Sequence, residues 1–159
     1  MSPADPGLNL AVVILAGRAT PADRERVAEM VATARALGAH AIIVAVPRGW
    51  RAPAHARVVH ATPGAPPIGA VRLAMAQLSN TPARYVLLWP LGSAAGADAL
   101  GSLVEEVARE GPALAALDGD DLDRGPVMIA RDGWLELMTL GEQGMNAVAS
   151  RLGVRRVGG

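Results

Sequence analysis

Residues 8–46 read LNLAVVILAGRATPADRERVAEMVATARALGAHAIIVAV, and this stretch decides the fold. Residues 8–16 form a nearly continuous apolar run that stops at Gly17, as expected of a parallel strand buried on both faces. Thr20-Pro21-Ala22-Asp23 then supplies a hydroxyl cap, a proline suited to a first helical position and a carboxylate that reaches unpaired amides, so a helix is predicted from Pro21. Val27, Met30, Val31, Ala34 and Leu37 recur at three- and four-residue spacing, and Gly38 supplies the stop. Residues 41–46 read as a second buried strand. The unit is strand, helix, strand, for which a right-handed crossover between parallel strands is the default. Function is expected at the C-terminal ends of such strands.

The alternation continues down the chain. Residues 47–56 read as a loop carrying Trp50, and 57–61 as a short strand followed by the turn-rich Thr62-Pro63-Gly64-Ala65-Pro66-Pro67. A helix is expected over 68–78, a strand over 84–89 ending at Pro90, and a helix over 97–109. Strands follow at 113–117 and, after an acidic loop, at 126–130. Two consecutive helices, 132–140 and 142–152, are separated by Gly141, and residues 154–157 can close the sheet. No repeat or linker divides the chain. The expectation is one domain over 1–159, with 1–7 a flexible N-terminus, in a three-layer α/β/α arrangement on a mostly parallel, Rossmann-like sheet.

Composition removes several kinds of chemistry. The 159 residues are 51% hydrophobic and 19% charged, a globular balance. The 18 Gly and 12 Pro fall short of the roughly 25–30% that marks low-complexity sequence. Fifteen basic and fifteen acidic residues cancel, so no overall field recruits nucleic acid or anionic lipid. All fifteen cations are arginine, and with no lysine there is no lysine nucleophile, Schiff base or Walker-type phosphate lysine. Absence of cysteine excludes disulfides, thiolate catalysis and cysteine metal sites. The polar, proline-rich opening is no signal peptide, and no run approaches ~20 apolar residues. The expected location is the cytoplasm, without membrane or nucleic-acid partners.

Four passages carry a resemblance. Val13-Ile14-Leu15-Ala16-Gly17 looks like an opening strand leading into an L-A-G-G-x-S-x-R-M-G-x-x-K loop. Residues 64–75, GAPPIGAVRLAM, resemble the entry to the next helix, and Tyr85-Val-Leu-Leu-Trp-Pro90 the strand leading into P-x-D-x-P. Gly125-Pro126-Val127, Trp134-Leu135-Glu136-Leu137 and 141–147, GEQGMNA, resemble G-H-P-V, its following helix and a G-D-x-G-A-R turn. Together they resemble the MobA-like nucleotidyltransferases, especially the molybdenum-cofactor cytidylyltransferase branch. The resemblance implies a nucleotide-diphospho-sugar-transferase-like fold and a magnesium-dependent transfer of a nucleotide to a phosphorylated pterin.

The departures fall on that chemistry. Arg18 stands where the second loop glycine would bring backbone amides to phosphates, and Ala22 and Val27 stand at the later arginine and lysine positions. Gly92 stands at the metal-binding aspartate and Ala94 at the second proline. Without that carboxylate a magnesium ion lacks its anchor, and arginine replaces lysine as a phosphate clamp but not as an equivalent point charge. The span from Pro90 to Pro126 also leaves little room for a full acceptor insert.

Other constellations admit more than one reading. Asp118, Asp120, Asp121 and Asp123 around Gly119 suit either a solvated loop or a cation site, but match no EF-hand spacing. His40, His55 and His60 follow no metal-ligand spacing, and no serine lies in a G-x-S-x-G elbow. Arg18 and Arg24 flank the start of the first helix, where unpaired amides favour an anion or the arginines simply pair on the surface. Arg72 is a candidate for the same crevice. Trp89 and Trp134 read as core, Trp50 as an interface candidate. The apolar stripe Leu100, Leu103, Val104 and Val107 reads first as a sheet-packing face and second as a dimer contact.

The expectation is therefore a degenerate nucleotidyltransferase-like domain with no catalytic or metal-ligating residue. Its binding, regulatory or structural role would be exerted by self-association or with a partner enzyme. Its ligand crevice would lie among Gly17, Arg18, Gly64, Gly92 and Gly125. The alternative is an active magnesium-dependent enzyme joining CTP or GTP to a molybdopterin or sugar-phosphate acceptor, its metal held by residues 118–123. A third reading is an α/β protein of another family sharing only the generic strand-helix-strand pattern.

Overall fold

The structure is a computed structural model that describes residues 8–158; the expectation for residues 1–7 lies outside the described residues. The opening unit forms as its sequence demands. Strand β1 (Leu10–Leu15) leads through a 3-10 turn at Pro21–Asp23 into helix α1 (Arg24–Ala36), and β2 (Ala41–Val46) pairs with β1 in parallel. The Asp23 carboxylate accepts the Thr20 amide at 2.8 Å and the Thr20 hydroxyl at 3.2 Å, which is the capping role the spacing implied. At the other end Gly38 has φ +90°. Its amide bonds to the Arg35 carbonyl while that of Ala39 bonds to the Ala34 carbonyl. This pair of bonds closes the helix in a Schellman motif.

The remaining elements are β3 (Arg57–His60), α2 (Pro67–Leu78), β4 (Tyr85–Pro90), α3 (Ala97–Glu110), β5 (Leu114–Leu117), β6 (Val127–Ala130), α4 (Trp134–Leu140), α5 (Met145–Leu152) and β7 (Arg155–Val157). The predicted helices beginning at 132 and 142 each open with a 3-10 turn, at Arg131–Gly133 and Gly141–Gln143. One seven-stranded sheet runs β3-β2-β1-β4-β6-β5-β7. β6 is antiparallel to both of its neighbours, while the other pairings are parallel. The reason is local: only residues 118–126 separate β5 from β6, and a parallel return needs a crossover of about a dozen residues or more.

Alternation along the strands sorts the core into two halves. Val12, Ile14, Leu87 and Trp89 face α1 and α3, with Met30, Leu100 and Leu103 opposite them. Val13, Ile43, Val86 and Leu88 face α2, α4 and α5, meeting Met75, Leu78, Leu137 and Val148. Continuous apolar runs in β1, β2 and β4 are thus needed by both faces. The α3 stripe packs against the sheet, with Leu100 and Leu103 fully buried. No helix among the described residues is long and apolar enough to cross a membrane.

The order of the strands creates a switch point. The chain passes from β1 outward to β2 and β3, then returns to the far side of β1 to form β4. The sheet therefore switches direction of growth between β1 and β4, and ligands of open α/β sheets bind in the crevice outside the strand ends at such a point.

Candidate functional site

β1 and β4 end together, with Leu15 opposite Pro90 in the register and the Leu91 amide bonded to the Leu15 carbonyl at 2.9 Å. A cleft of about 410 Å³ opens there, floored by Leu15, Ala45 and Ala70 and rimmed by Gly17, Arg18, Gly64 and Gly92. A second cleft of about 420 Å³ adjoins it over β4 and β6, and Gly125 lines that one. The two meet along Leu15, Pro66, Pro67, Pro90 and Asp123. All five residues expected at a crevice therefore lie on these adjoining clefts.

They are there for different reasons. A Cβ on Gly17 would lie 2.8 Å from the Ala61 Cβ, so this glycine lets the loop after β1 close on the end of β3. Gly64 has φ +75° and sits in a turn closed by the Ala65 amide on the Thr62 carbonyl at 3.1 Å. With Pro63 before it, this is a type II turn, whose third position favours glycine. A Cβ on Gly125 would meet the Asp120 carboxylate at 2.6 Å. Gly92 answers to neither constraint: a Cβ there meets nothing within 4 Å, and its φ is not positive. Arg18 is exposed and, among the described residues, is the one cation lining the first cleft.

Neighbouring arginines are committed elsewhere. Arg24 stacks on the half-buried Trp50, its guanidinium 5.2 Å from the ring centroid, and Arg26 lies 5.8 Å from the ring of buried Trp89. Arg72 does not line the crevice, contrary to the sequence reading. Its Nη2 and Nε donate to the Met138 carbonyl and its Nη1 to the Glu142 carboxylate at 2.8 Å, so it ties α2 to α4 and the turn beyond it. Trp134 is buried and donates its ring N–H to the Ile129 carbonyl at 3.2 Å. Trp89 is 1% exposed, with its ring nitrogen unpartnered.

The acidic loop is a set of backbone clamps. Asp121 Oδ1 accepts the Asp123 amide at 2.8 Å, and Asp123 Oδ1 accepts the Met145 amide at the start of α5 at 2.9 Å. Arg156 Nη1 donates to the Leu117 and Asp120 carbonyls, holding the loop to β7. Among the described residues no three His, Asp or Glu side chains converge to hold a metal. The first cleft offers a single carboxylate among its described residues, Asp123, with one oxygen already taken. Gly92 offers no ligand. This donor set does not fit the magnesium site that the resemblance implies, in which carboxylates complement substrate phosphates.

No protein-family model matches the chain, and no curated protein matches it in sequence. Solved structures do match. A homologue of Mycobacterium tuberculosis Rv0371c from Mycobacterium sp. strain JC1 superposes with TM-score 0.74 at 18% identity, over 96% of this chain and 86% of that one. The 2-C-methyl-D-erythritol 4-phosphate cytidylyltransferase of Thermus thermophilus gives 0.67 at 17% identity, over 94% and 88%. Glucosyl-3-phosphoglycerate synthase of Mycobacterium tuberculosis, solved with Mn2+, UDP and glucosyl-3-phosphoglycerate, gives 0.65 at 15%, over 96% and 70%. At such identities the likeness is one of fold. The chain has the Rossmann-like α/β fold of nucleotidyltransferases and nucleotide-diphospho-sugar transferases, as its sequence led us to expect.

Proposed function

We propose that this protein is a ligand-binding or regulatory subunit built on a nucleotidyltransferase-like fold that no longer transfers a nucleotide. One observation carries the reading: at the switch point between β1 and β4, where open α/β sheets bind their ligands, Gly92 leaves open space at the position that the resemblance gives to a metal carboxylate. Arg18 beside it adds bulk where a phosphate loop needs a bare backbone, and no lysine exists to replace the missing cation. Phosphoryl chemistry depends on positioned charge around the transferred group, and little of it is left here. The likeness of 125–127 and 141–147 to the MobA-like motifs supports reading the chain as a member of that branch. Its crevice residues are Gly17, Arg18, Gly64, Gly92 and Gly125, and it acts in the cytoplasm as a homo-oligomer or beside a partner enzyme.

The test is a calorimetric titration with CTP and GTP, with and without magnesium, alongside an assay for pyrophosphate release. We expect no magnesium-dependent binding and no turnover. Turnover on the order of one per second, ordinary for an enzyme, overturns the proposal.

A further inference from the structure

The second cleft has a chemistry that the resemblance does not supply. Its walls are mostly apolar, formed by Ile68 and Val71 of α2, Leu122 of the acidic loop, Leu137 of α4 and Met145 of α5. No arginine or histidine is among its described lining residues, and its two charged side chains are the carboxylates Asp123 and Glu142. Glu142 is neutralised by Arg72 at 2.8 Å. Asp123 Oδ1 accepts the Met145 amide, and no described residue donates a hydrogen bond to its Oδ2. A phosphorylated acceptor finds no cation among the described lining residues and, at the junction of the two clefts, a carboxylate with no ion-pair partner among the described residues.

We infer that this cleft recognises a small organic ammonium, with the cation at Asp123 Oδ2 and an apolar body laid on Ile68, Val71, Leu122 and Met145. The two parts of the recognition have separate physical origins. Burial of the apolar body supplies affinity in proportion to the area covered. The carboxylate supplies selection, favouring a cation over its neutral isostere and opposing an anion. The cleft volume of about 420 Å³ lies in the range of small-molecule sites that combine an apolar lining with few polar groups. This inference goes beyond the proposed function and does not rest on it: turnover of CTP would overturn that proposal and leave this one standing.

The probes are phenylpropylamine, phenylpropanol and phenylpropanoate, three ligands of one shape and different charge, titrated calorimetrically into the full chain. The amine should bind about fivefold more tightly than the alcohol, the gain of one exposed ion pair, and the carboxylate more weakly than either. Asp123→Asn keeps an oxygen for the Met145 amide and should reduce the amine to the affinity of the alcohol. Ile68→Trp, at the half-buried mouth, should abolish binding of all three. Methyl NMR of the unaltered protein provides a readout without variants: the Met145 methyl, which lines only the second cleft, should shift with the amine while that of Thr62, which lines only the first, stays in place. Equal affinity for amine and carboxylate, an amine preference that survives Asp123→Asn, or a shift at Thr62 without one at Met145 would each overturn the inference.

Discussion

Gly17 and Ala61 meet so closely that a Cβ built on the glycine would lie 2.8 Å from the alanine's own Cβ. The contact joins the loop leaving β1 to the residue after β3, across the top of β2, and it shapes the wall of the first cleft. A position that looks like a remnant of a phosphate loop is also a packing requirement. Gly17→Ala should destabilise the protein by about 1–3 kcal/mol through overpacking. Ala61→Gly in the same chain should recover most of that loss, and a double-mutant cycle by urea unfolding measures the coupling. Independent, additive effects would show that the contact does not matter.

Gly92 behaves oppositely. A side chain there meets open space, and its φ lies outside the left-handed region, so Gly92→Asp should change stability by no more than about 0.5 kcal/mol. On the proposed function it should not by itself bring about pyrophosphate release, because Arg18 and the lack of lysine would still leave a nucleotide's phosphates unsupported. Restored turnover in this single variant would show that one carboxylate was all the site lacked.

Arg131 fastens the C-terminal end of α2 and the segment that follows to β6. Its Nη1 donates to the Thr81 and Ala83 carbonyls at 2.7 and 2.8 Å and its Nη2 to the Ser79 carbonyl at 2.7 Å, while its plane stacks 4.9 Å from the Trp134 ring centroid. Arg131→Met should cost about 2 kcal/mol, since hydrogen bonds from a charged donor to otherwise unpaired carbonyls are among the stronger ones. Hydrogen exchange should quicken first at residues 79–83. Uniform quickening across the sheet would contradict a local fastening role.

Tyr85 sets an alkaline limit. It donates its hydroxyl to the Pro112 carbonyl at 2.6 Å. Burial pushes its pKa above the ordinary 10.0, with Arg84 opposing and Asp132 adding to the rise. The unfolded chain then ionises before the folded one, so the unfolded state holds fewer protons and stability falls as pH climbs. This contribution is complete below about pH 10 and is lost as pH rises through the folded value. Tyr85→Phe should be less stable at neutral pH and should lose less stability across that alkaline range. Parallel curves for the two proteins would assign the alkaline loss to another group.

Much of the fold was legible because the local signals agreed. Apolar runs marked β1, β2 and β4, and the Thr20 to Asp23 and Gly38 signals marked both ends of α1 to within a few residues. The crevice was legible only as a place, since the C-terminal ends of parallel strands follow from the strand-helix-strand pattern. Arg72 was misread because its guanidinium reaches residues 138 and 142, about 70 positions away, and no periodicity carries that distance.

By itself the sequence determined the alternation of elements, the burial of the strands on both faces, and the chemistry that is unavailable without lysine or cysteine. These follow from side-chain types and their spacing, which act over a few residues. The tertiary structure alone decided that β6 runs against its neighbours between β4 and β5. It also decided that Gly17 and Gly125 answer to packing, that Asp123 caps α5 at the meeting of two clefts, and that the second cleft is apolar and acidic. These depend on which distant residues are brought within a few ångströms, and that is set by how the sheet is ordered rather than by any stretch of chain.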